Sequence, residues 1–215
     1  MPMYLGSRMI TDIYKGSNQL DYVYKGDVKV YAKYAYGFVV FDSRTAKTDT
    51  ITLNHTQDYY IVLVGGGGNG GSRQDYGGGA FQTGYAGGGS GAMIYGTIRI
   101  AAGKYSYTIG GAGGDTVFLG QTAGKGNNCT LGYASGSPGT PGTATITLAG
   151  LSSKTVNDAT YGYYNTYWGS GGDTNGYGGS SPYNNQRNGP GAGGTANNSA
   201  YQRGGYTGYL RIEAR

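Results

Sequence analysis

The architecture of this chain follows from the stretch Tyr60-Ile61-Val62-Leu63-Val64-Gly65-Gly66-Gly67-Gly68-Asn69-Gly70-Gly71, where an apolar run passes directly into glycine. The residues from Tyr59 to Val64 lack polar alternation, which is typical of a strand buried on both faces. The glycines that follow have almost no side chain to bury, and glycine loses more conformational entropy on ordering than any other residue. We therefore expect close backbone approach and backbone hydrogen bonds to hold them.

The composition separates the chain into two parts near residue 65. Of 46 glycines in 215 residues, only Gly6, Gly16, Gly26 and Gly37 precede that point. Glycine at this level is close to that of low-complexity or disordered chains. However, the chain also has 24 tyrosines and only 13% charged residues, whereas disordered segments are usually charged and poor in aromatics. We therefore expect an ordered structure.

The first 33 residues contain a repeat of period ten. The units Tyr4-Leu5-Gly6-Ser7, Tyr14-Lys15-Gly16-Ser17 and Tyr24-Lys25-Gly26-Asp27 align with one another. Glycine followed by Ser or Asp marks a turn, so the repeat predicts a small β-meander over residues 1–33. Such a meander buries little by itself, and we interpret it as an attachment or oligomerisation module. Its candidate contact residues are Tyr4, Tyr14, Tyr24, Ile10, Leu20 and Val30.

Residues 34–215 are predicted to form a second, glycine-rich β-domain. Apolar and β-branched runs predict strands, residues 42–49 are polar and predict a loop, and no convincing amphipathic helix is present. The chain is therefore predicted to be all-β, with glycine-rich insertions at residues 65–91 and 161–208. The predicted strands cover residues 36–41, 50–53, 59–64, 92–100, 105–109, 115–119, 143–148 and 209–212.

The glycine runs also predict a particular local structure. Polyproline-II-like helices have three residues per turn and direct every backbone donor and acceptor outward, so glycine helices packed side by side can bond to one another. We expect polyglycine-II-like loops of this kind to form a rigid framework. The framework residues are Gly65, Gly66, Gly67, Gly68, Gly70 and Gly71.

Aromatic residues in the second insertion are the best candidates for a binding site. In one interpretation, their rings are exposed and stack on sugars or protein, while Asn and Ser supply hydrogen bonds. In the other, the rings pack over the glycines and replace a missing core. The candidate receptor-binding residues are Tyr161, Tyr163, Tyr164, Tyr167, Trp168, Tyr177 and Tyr183.

Catalytic and cofactor chemistry has little support in the sequence. His55, Cys129 and Glu213 are each the only residue of their kind, which argues against a His-based triad or a metal cluster. The pattern Gly65-x-Gly67-x-x-Gly70 matches a dinucleotide fingerprint, but no helix is predicted after it. We expect no enzyme activity, no metal and no cofactor. We place His55 in a loop and expect Cys129 to be at least half-buried.

Charge and terminal sequence restrict the partners and the location. The net charge of +5 is spread thinly, without a Lys/Arg run to hold nucleic acid, and one Arg-Gly-Gly at Arg203 is weak support for RNA binding. A single cysteine rules out an intrachain disulfide. The residues after Met1 lack a signal-peptide pattern, and no apolar stretch is long enough for a membrane span. We expect synthesis in a cytoplasm.

Two groups of motifs resemble a known class of proteins. The Tyr-x-Gly-[Ser/Asp] units resemble short repeats at the start of bacteriophage tail and virion-surface proteins. Three segments resemble the glycine-rich domain of phage tail-fibre proteins: Tyr59 to Gly96, Gly103-Lys104-Tyr105-Ser106-Tyr107-Thr108-Ile109-Gly110-Gly111-Ala112-Gly113-Gly114, and Gly204 to Ile212. The glycine-helix sandwich with variable loops is similar to that of T-even-like tail-fibre adhesins, which differ in overall sequence. The resemblance covers roughly residues 59–119 and 201–213.

The resemblance implies a virion protein made in the host cytoplasm. Residues 1–33 would attach it to other virion proteins, and the glycine-rich domain would present loops to a host surface glycan or outer-membrane protein. A homo-oligomer is expected, with a trimer as one form, since fibre proteins are often symmetric. Three alternatives stay open: a structural head or tail component without a receptor role, a glycan-degrading tail enzyme, and a low-complexity RNA-binding chain.

Overall fold

The structure is a computed structural model, and it confirms the predicted all-β class. It describes residues 3–5, 8–10, 14–15, 18–19, 22–25, 28–32, 34–77, 80–132, 135–165, 175–176, 179–197 and 204–215. Across these residues there are antiparallel sheets and no helix.

The strands are numbered in chain order. They are β1 (Met3–Leu5), β2 (Arg8–Ile10), β3 (Tyr14–Lys15), β4 (Asn18–Gln19), β5 (Tyr22–Lys25), β6 (Val28–Ala32), β7 (Val39–Ser43), β8 (Lys47–Leu53), β9 (Gln57–Val64), β10 (Gly71–Gly77), β11 (Ala80–Ala86), β12 (Met93–Ile100), β13 (Gly103–Ile109), β14 (Thr116–Phe118), β15 (Gln121–Ala123), β16 (Thr130–Gly132), β17 (Ser135–Ser137), β18 (Ala144–Thr145), β19 (Leu151–Lys154), β20 (Tyr161–Asn165), β21 (Asn175–Gly176), β22 (Ala196–Asn197) and β23 (Tyr209–Ala214).

The first six strands form three separate antiparallel pairs. They are β1 with β2, β3 with β4, and β5 with β6. Each pair is joined by the two residues that follow Tyr-x in the repeat, namely 6–7, 16–17 and 26–27. Of the predicted contact residues, Leu20 lies outside the described residues, and the other five lie in strands of these pairs.

Residues 34–215 contain two five-stranded sheets that face each other. The front sheet has the strand order β19-β12-β9-β23-β7, and the back sheet has the order β18-β15-β14-β13-β8. The longest pairing in the front sheet joins β9 to β12, from Gln57 opposite Ile100 to Val64 opposite Met93. The longest pairing in the back sheet joins β8 to β13, from Lys47 opposite Ile109 to Leu53 opposite Gly103.

The hydrophobic core lies between the two sheets. In β9, the alternating residues Tyr59, Ile61 and Leu63 are fully buried and pack in the cluster that contains Phe118 and Ile109 of the back sheet. On the outer face of the same strand, Val62 and Val64 are also buried, in a second cluster with Met93 and Tyr209. The prediction of a strand buried on both faces is therefore confirmed. Its physical basis is the unbroken apolar sequence.

The two ends of this sandwich differ. At one end, the backbone N–H of Tyr34 donates to Oε1 of Gln57 at 3.2 Å, so the chain from the first 33 residues joins the sandwich where β9 begins. We call this the linker end. At the opposite end, the glycine end, Val64 leads into Gly65, and β23 starts after Gly208. Strand connections at the linker end are short, because residues 54–56, 101–102, 119–120 and 146–150 suffice to turn the chain.

Beyond the glycine end, glycine segments bond to one another through their backbones. Gly65 and Gly68, three residues apart, both donate to residues 89–92 at 2.9 Å. Between them, Gly66 donates to Gly114 and Gly67 to Tyr206, so successive residues face different neighbours. Three other pairs of N–H groups show the same three-residue spacing. Gly88 and Gly91 donate to the segment 191–194, and Gly89 and Ala92 donate to the segment 124–127. Gly124 and Asn127 donate to the segment 140–143.

We call this bonded set of segments the glycine lattice, consisting of residues 65–70, 87–92, 110–114, 124–127, 139–142, 191–194 and 205–208. Most of its glycines are required by space, whereas Gly113, at a φ of +67° with no atom within 4 Å of a Cβ, is required by turn geometry. A Cβ on Gly67 would overlap the carbonyl oxygen of Ala192, and one on Gly88 would overlap the carbonyl oxygen of Gly68. Most lattice residues are buried, and the backbone bonds supply the partners that water would otherwise provide.

Several predicted boundaries were wrong. The polar residues 42–49 were predicted to be a loop, but only residues 44–46 connect β7 to β8. Thr48 and Thr50 extend β8 because they pair with β13, where the hydroxyls of Thr48 and Thr108 lie 3.0 Å apart. Of the predicted strand 143–148, only Ala144–Thr145 forms, because the side chain of Gln121 takes the N–H of Thr147.

The first glycine-rich insertion also contains a long hairpin that was not predicted. Strands β10 and β11 pair over seven positions, from Gly71 opposite Ala86 to Gly77 opposite Ala80. Gly71 therefore begins a strand, whereas Gly65 to Gly68 and Gly70 lie in the lattice. The edge strand β19 was likewise missed, since its sequence Leu-Ser-Ser-Lys is short and mostly polar.

Candidate functional site at the distal strands

A group of short strands lies beyond the glycine lattice, and we call them the distal strands. Strands β10, β11 and β20 form a three-stranded sheet, and the pairs β16 with β17 and β21 with β22 contact it. Strand β10 follows Gly70 of the lattice directly, and β11 leads directly into Gly87 of the lattice. The lattice thus brings together segments that are far apart in sequence.

Three of the predicted receptor-binding tyrosines lie together on β20. Their partners on β11 are Ala86 for Tyr161, Gly84 for Tyr163, and Thr83 for Tyr164. The structure therefore places this part of the aromatic cluster on the distal sheet. Tyr167, Trp168 and Tyr177 lie outside the described residues.

The ring of Tyr161 is packed rather than presented to solvent. The residue is half-buried, and its ring lies so close to Gly84 and Gly136 that a Cβ at either position would crowd it. Two glycines from β11 and β17 thus make room for one ring from β20. For Tyr161, the structure supports the interpretation that aromatic rings fill space over glycine.

Tyr183 lies apart from the distal strands. It belongs to the segment 179–191, which crosses the outer face of the front sheet, and its ring centroid is 4.9 Å from that of Tyr209 at an interplanar angle of 61°. Its side chain is 37% exposed. Of the four candidate residues that the structure describes, Tyr183 is therefore separate from the three on β20.

Asparagine side chains close the glycine lattice at its distal end. The side-chain oxygen of Asn128 accepts from the N–H of Asn69 at 2.8 Å, and the side-chain oxygen of Asn69 accepts from the N–H of Gly205 at 3.0 Å. Each side-chain oxygen thus takes the place of a backbone carbonyl as the hydrogen-bond acceptor, where a segment leaves the lattice. Beside them is a mostly polar cavity of about 410 Å³, lined by Asn69, Gly70, Gly71, Asn128, Cys129, Leu131 and Gly204.

Cys129 is the titratable side chain among the residues that line this cavity. Burial raises the pKa of the Cys129 thiol, although hydrogen bonds from backbone N–H groups oppose the shift, so the thiol stays protonated at neutral pH. His55 lies at the linker end, with its ring 4.8 Å from that of Tyr34 and the whole sandwich between it and Cys129. Within the described part of the chain, no three His, Cys, Asp or Glu residues group as metal ligands. The absence of enzyme activity stays a prediction.

Sequence reasoning missed two features that shape the surface. It did not identify Asn69 and Asn128 as lattice caps, although an Asn inside or beside a glycine run is a signal for side-chain bonding to backbone. It also did not place the segment 179–191 across the sheet. The cluster of Ser, Asn, Pro and Gly there indicated only a loop, and the sheet that a loop crosses is a tertiary property.

Comparisons with protein-family models, with curated proteins and with solved structures found no match to this chain. Across the residues that can be described, there is no helix of the length and apolar character that crossing a membrane requires.

Proposed function

We propose that this chain is a non-enzymatic bacteriophage virion-surface protein, an adhesin of the tail fibre or tail tip. It attaches to the virion through residues 1–33 and binds a host surface glycan or outer-membrane protein through the distal strands and their loops. It needs no cofactor, binds no nucleic acid and has no membrane span. Its resemblance to glycine-rich phage tail-fibre domains supports this class.

The single observation that carries the proposal is that the repeat module and the glycine lattice lie at opposite ends of the sandwich. The repeat module joins at the linker end, where Tyr34 bonds to Gln57, and the segments of the glycine lattice lie beyond the opposite end. At about 3.3 Å per residue, the eight residues of β9 separate these ends by about 25 Å. An adhesin needs this arrangement, because attachment and recognition must not compete for one surface.

We assign the glycine segments to polyglycine-II-like helices. The support is the three-residue spacing of their hydrogen bonds, which equals the turn of such a helix. A helix of this kind from Gly65 to Gly70 spans about 19 Å. The lattice therefore acts as a rigid spacer, which lowers the conformational entropy that the loops would lose on binding.

We assign attachment and oligomerisation to the repeat module as a single three-unit β-meander. The three strand pairs repeat at the period of the sequence, and a two-stranded pair in isolation is marginally stable. Copies of the module, or another virion protein, would supply the missing packing. We expect a homo-oligomer, with a closed trimer as one form, and sedimentation equilibrium of the full chain measures the copy number directly.

A structural head or tail component is the second candidate. The packing of Tyr161 against Gly84 and Gly136 favours it, because a ring used to fill space is not available to a receptor. Protein that occupies every particle but binds no host cell would support this candidate. The glycan-degrading alternative requires two carboxylates in one groove, and absence of polymer cleavage would exclude it. An RNA-binding low-complexity chain would unfold without cooperativity.

The test uses fluorescently labelled full-length protein and a panel of intact bacterial cells. In one variant, residues 161–168 are replaced by Gly and Ser. We expect saturable binding by the native chain to at least one strain and loss of that binding in the variant, with cooperative unfolding retained in both.

A matched control removes an exposed aromatic ring at the opposite end of the domain. Tyr36 is 77% exposed near the linker end, so Tyr36→Ser should bind cells as the native chain does. Native protein that folds cooperatively and binds no cell would contradict the adhesin and favour the structural candidate. Equal loss in both variants would contradict the assignment to the distal strands.

A further inference from the structure

The outer face of the front sheet carries a groove that no part of the proposed function uses. It has a volume of about 370 Å³, which is within the range of small-molecule sites. It lies on the sandwich itself, whereas the distal strands are beyond the lattice. The lining residues are Tyr60, Val62, Met93, Tyr183, Arg211 and Glu213.

The floor of the groove is apolar and its wall is aromatic. Val62 is 4% exposed and Met93 is 9% exposed, so both present a small, fixed apolar surface. Tyr183 stands beside them with more than a third of its surface free, and Tyr60 is half-buried. The groove therefore presents aromatic rings and a nearly buried apolar surface to a ligand.

The polar wall is an ordered network of ion pairs. Glu213 accepts from Nη2 of Arg211 at 2.7 Å and is paired with Nη1 of Arg215 at 3.1 Å. Nη1 of Arg211 also donates to Asp42 at 3.2 Å, and the guanidinium of Arg215 lies 5.0 Å from the centroid of the Tyr60 ring. Two guanidinium groups thus face two carboxylates, and their charges cancel locally. An ionic ligand would have to displace one of these pairs, whereas a neutral ligand would not.

The segment that supplies Tyr183 is held in place at several points. Asp158 accepts from the N–H and the hydroxyl of Ser180, both at 2.6 Å, and Lys154 of β19 donates to Asn185 at 3.0 Å. The contact between Tyr183 and Tyr209 completes the attachment. Since the ring is fixed before a ligand arrives, little conformational entropy is lost on binding.

We propose that this groove binds a neutral saccharide unit. The C–H bonds of a pyranose carry partial positive charge and contact the negative face of an aromatic ring, here that of Tyr183, since the guanidinium of Arg215 already lies over the ring of Tyr60. Hydroxyl groups of the sugar then donate to Glu213 and accept from Arg211, which the ion pairs hold in fixed orientation. Rings, a small apolar floor and balanced charges are the combination that suits a ligand with one apolar face and a rim of hydroxyls.

This site is independent of the distal strands, and its test is separate from the cell-binding test. Saturation-transfer NMR is recorded on the full chain with the methyl glycosides of glucose, galactose, mannose and N-acetylglucosamine, and with the charged sugars N-acetylneuraminate and glucuronate for comparison. We expect at least one glycoside to receive saturation at its ring C–H protons. Tyr183→Ala should weaken its binding about tenfold, since a stacking contact is lost.

Tyr206→Ala is the matched control, because Tyr206 is 42% exposed and does not line the groove. It should leave the transfer unchanged. The absence of transfer to every glycoside, or equal transfer with Tyr183→Ala, would overturn the proposal. Stronger transfer to N-acetylneuraminate or glucuronate than to the neutral glycosides would overturn the assignment to a neutral ligand.

The failures of the two proposals can be told apart. The variant with residues 161–168 replaced keeps every residue of the groove and should bind the glycoside as the native chain does. If that variant still binds cells and the glycoside, the assignment of cell binding to the distal strands is wrong and the saccharide site in the groove is supported. If no glycoside binds but the variant loses cell binding, the groove fails while the adhesin stands.

Discussion

The backbone N–H of Gly68 donates to the carbonyl oxygen of Gly89 at 2.9 Å, at a position where no side chain fits. A Cβ on Gly68 would overlap the carbonyl oxygen of Asn127 on a third segment. The hydrogen bond and the missing side chain have one cause, which is the close approach of three backbones. Glycine is therefore the core residue of this region, as Ile and Leu are in the sandwich.

The first prediction is that Gly68→Ala destabilises the protein by about 3 kcal/mol, since overpacking a close-packed interior costs about 1–3 kcal/mol and here the obstacle is backbone. Denaturant unfolding followed by circular dichroism measures this change. Gly111→Ala is the control, because the only atom near its Cβ would be the Cβ of Ala46 at 3.7 Å. Its effect should stay within about 1 kcal/mol. Equal effects of the two substitutions would contradict a close-packed lattice.

The second prediction concerns the buried side chain of Gln121. Its amide nitrogen donates to the Leu119 carbonyl at 2.9 Å and to Oγ1 of Thr147 at 2.8 Å, and its oxygen accepts from the N–H of Thr147 at 2.8 Å. Gln121→Leu should cost about 1–3 kcal/mol, because these backbone groups lose their partner. Thr147→Ser keeps the hydroxyl and should change the free energy of unfolding much less. A Gln121→Leu substitution that leaves the free energy of unfolding unchanged would show that water replaces the amide.

The third prediction is a pH dependence at the segment 179–191. Burial raises the pKa of the Asp158 carboxyl, but hydrogen bonds from Ser180 and the charge of Arg187 outweigh it, so the pKa lies below its ordinary value. For a lowered pKa, the stabilisation is present above the unfolded pKa of about 3.9 and is lost as the pH falls through the folded pKa. The amide proton shift of Ser180 should therefore titrate with a midpoint below about pH 4.

The control for this titration is Asp158→Asn, which removes the ionisable group but keeps a side-chain oxygen. The Ser180 amide shift of that variant should be independent of pH between about 2 and 6. A midpoint above the ordinary value for Asp in the native chain would contradict the assigned hydrogen bonds.

The fourth prediction is that residues 34–215 unfold cooperatively without the repeat module. Among the residues whose side chains the structure describes, both clusters of core residues consist of side chains from Tyr34 onward, and we expect the sandwich to keep this core without residues 1–33. Calorimetry should give a melting temperature within a few degrees of that of the full chain. Residues 1–33 alone should not fold as a stable monomer. A stable monomer of that fragment would contradict its interpretation as an attachment module.

Local pattern accounts for the parts of the fold that were predicted correctly. Residues 59–64 were predicted to be a strand buried on both faces, and Ile61 and Val62 are buried on opposite sides of it. Errors occurred where side chains rather than periodicity decided the pairing. Thr147, for example, leaves the sheet because Gln121 binds its backbone, and no pattern around Thr147 indicates this.

The candidate sites were less predictable than the fold. The aromatic cluster on β20 was identified from its sequence, but the burial of Tyr161 depends on Gly84 and Gly136, which come from two other strands. Tyr183 was grouped with that cluster because it is close in sequence, whereas the structure places it beside Tyr209.

The amino-acid sequence by itself determined that the protein is all-β, that β9 is buried on both faces and that the glycines must meet other backbones. These properties depend on hydrophobic pattern and on side-chain size, both of which are local. Only the tertiary structure decided which segments meet, such as residues 65–70 with 87–92, and that Tyr60 and Tyr183 line one groove. The physical reason is that glycine segments are chemically alike, so their partners are selected by the strands that fix where each segment starts.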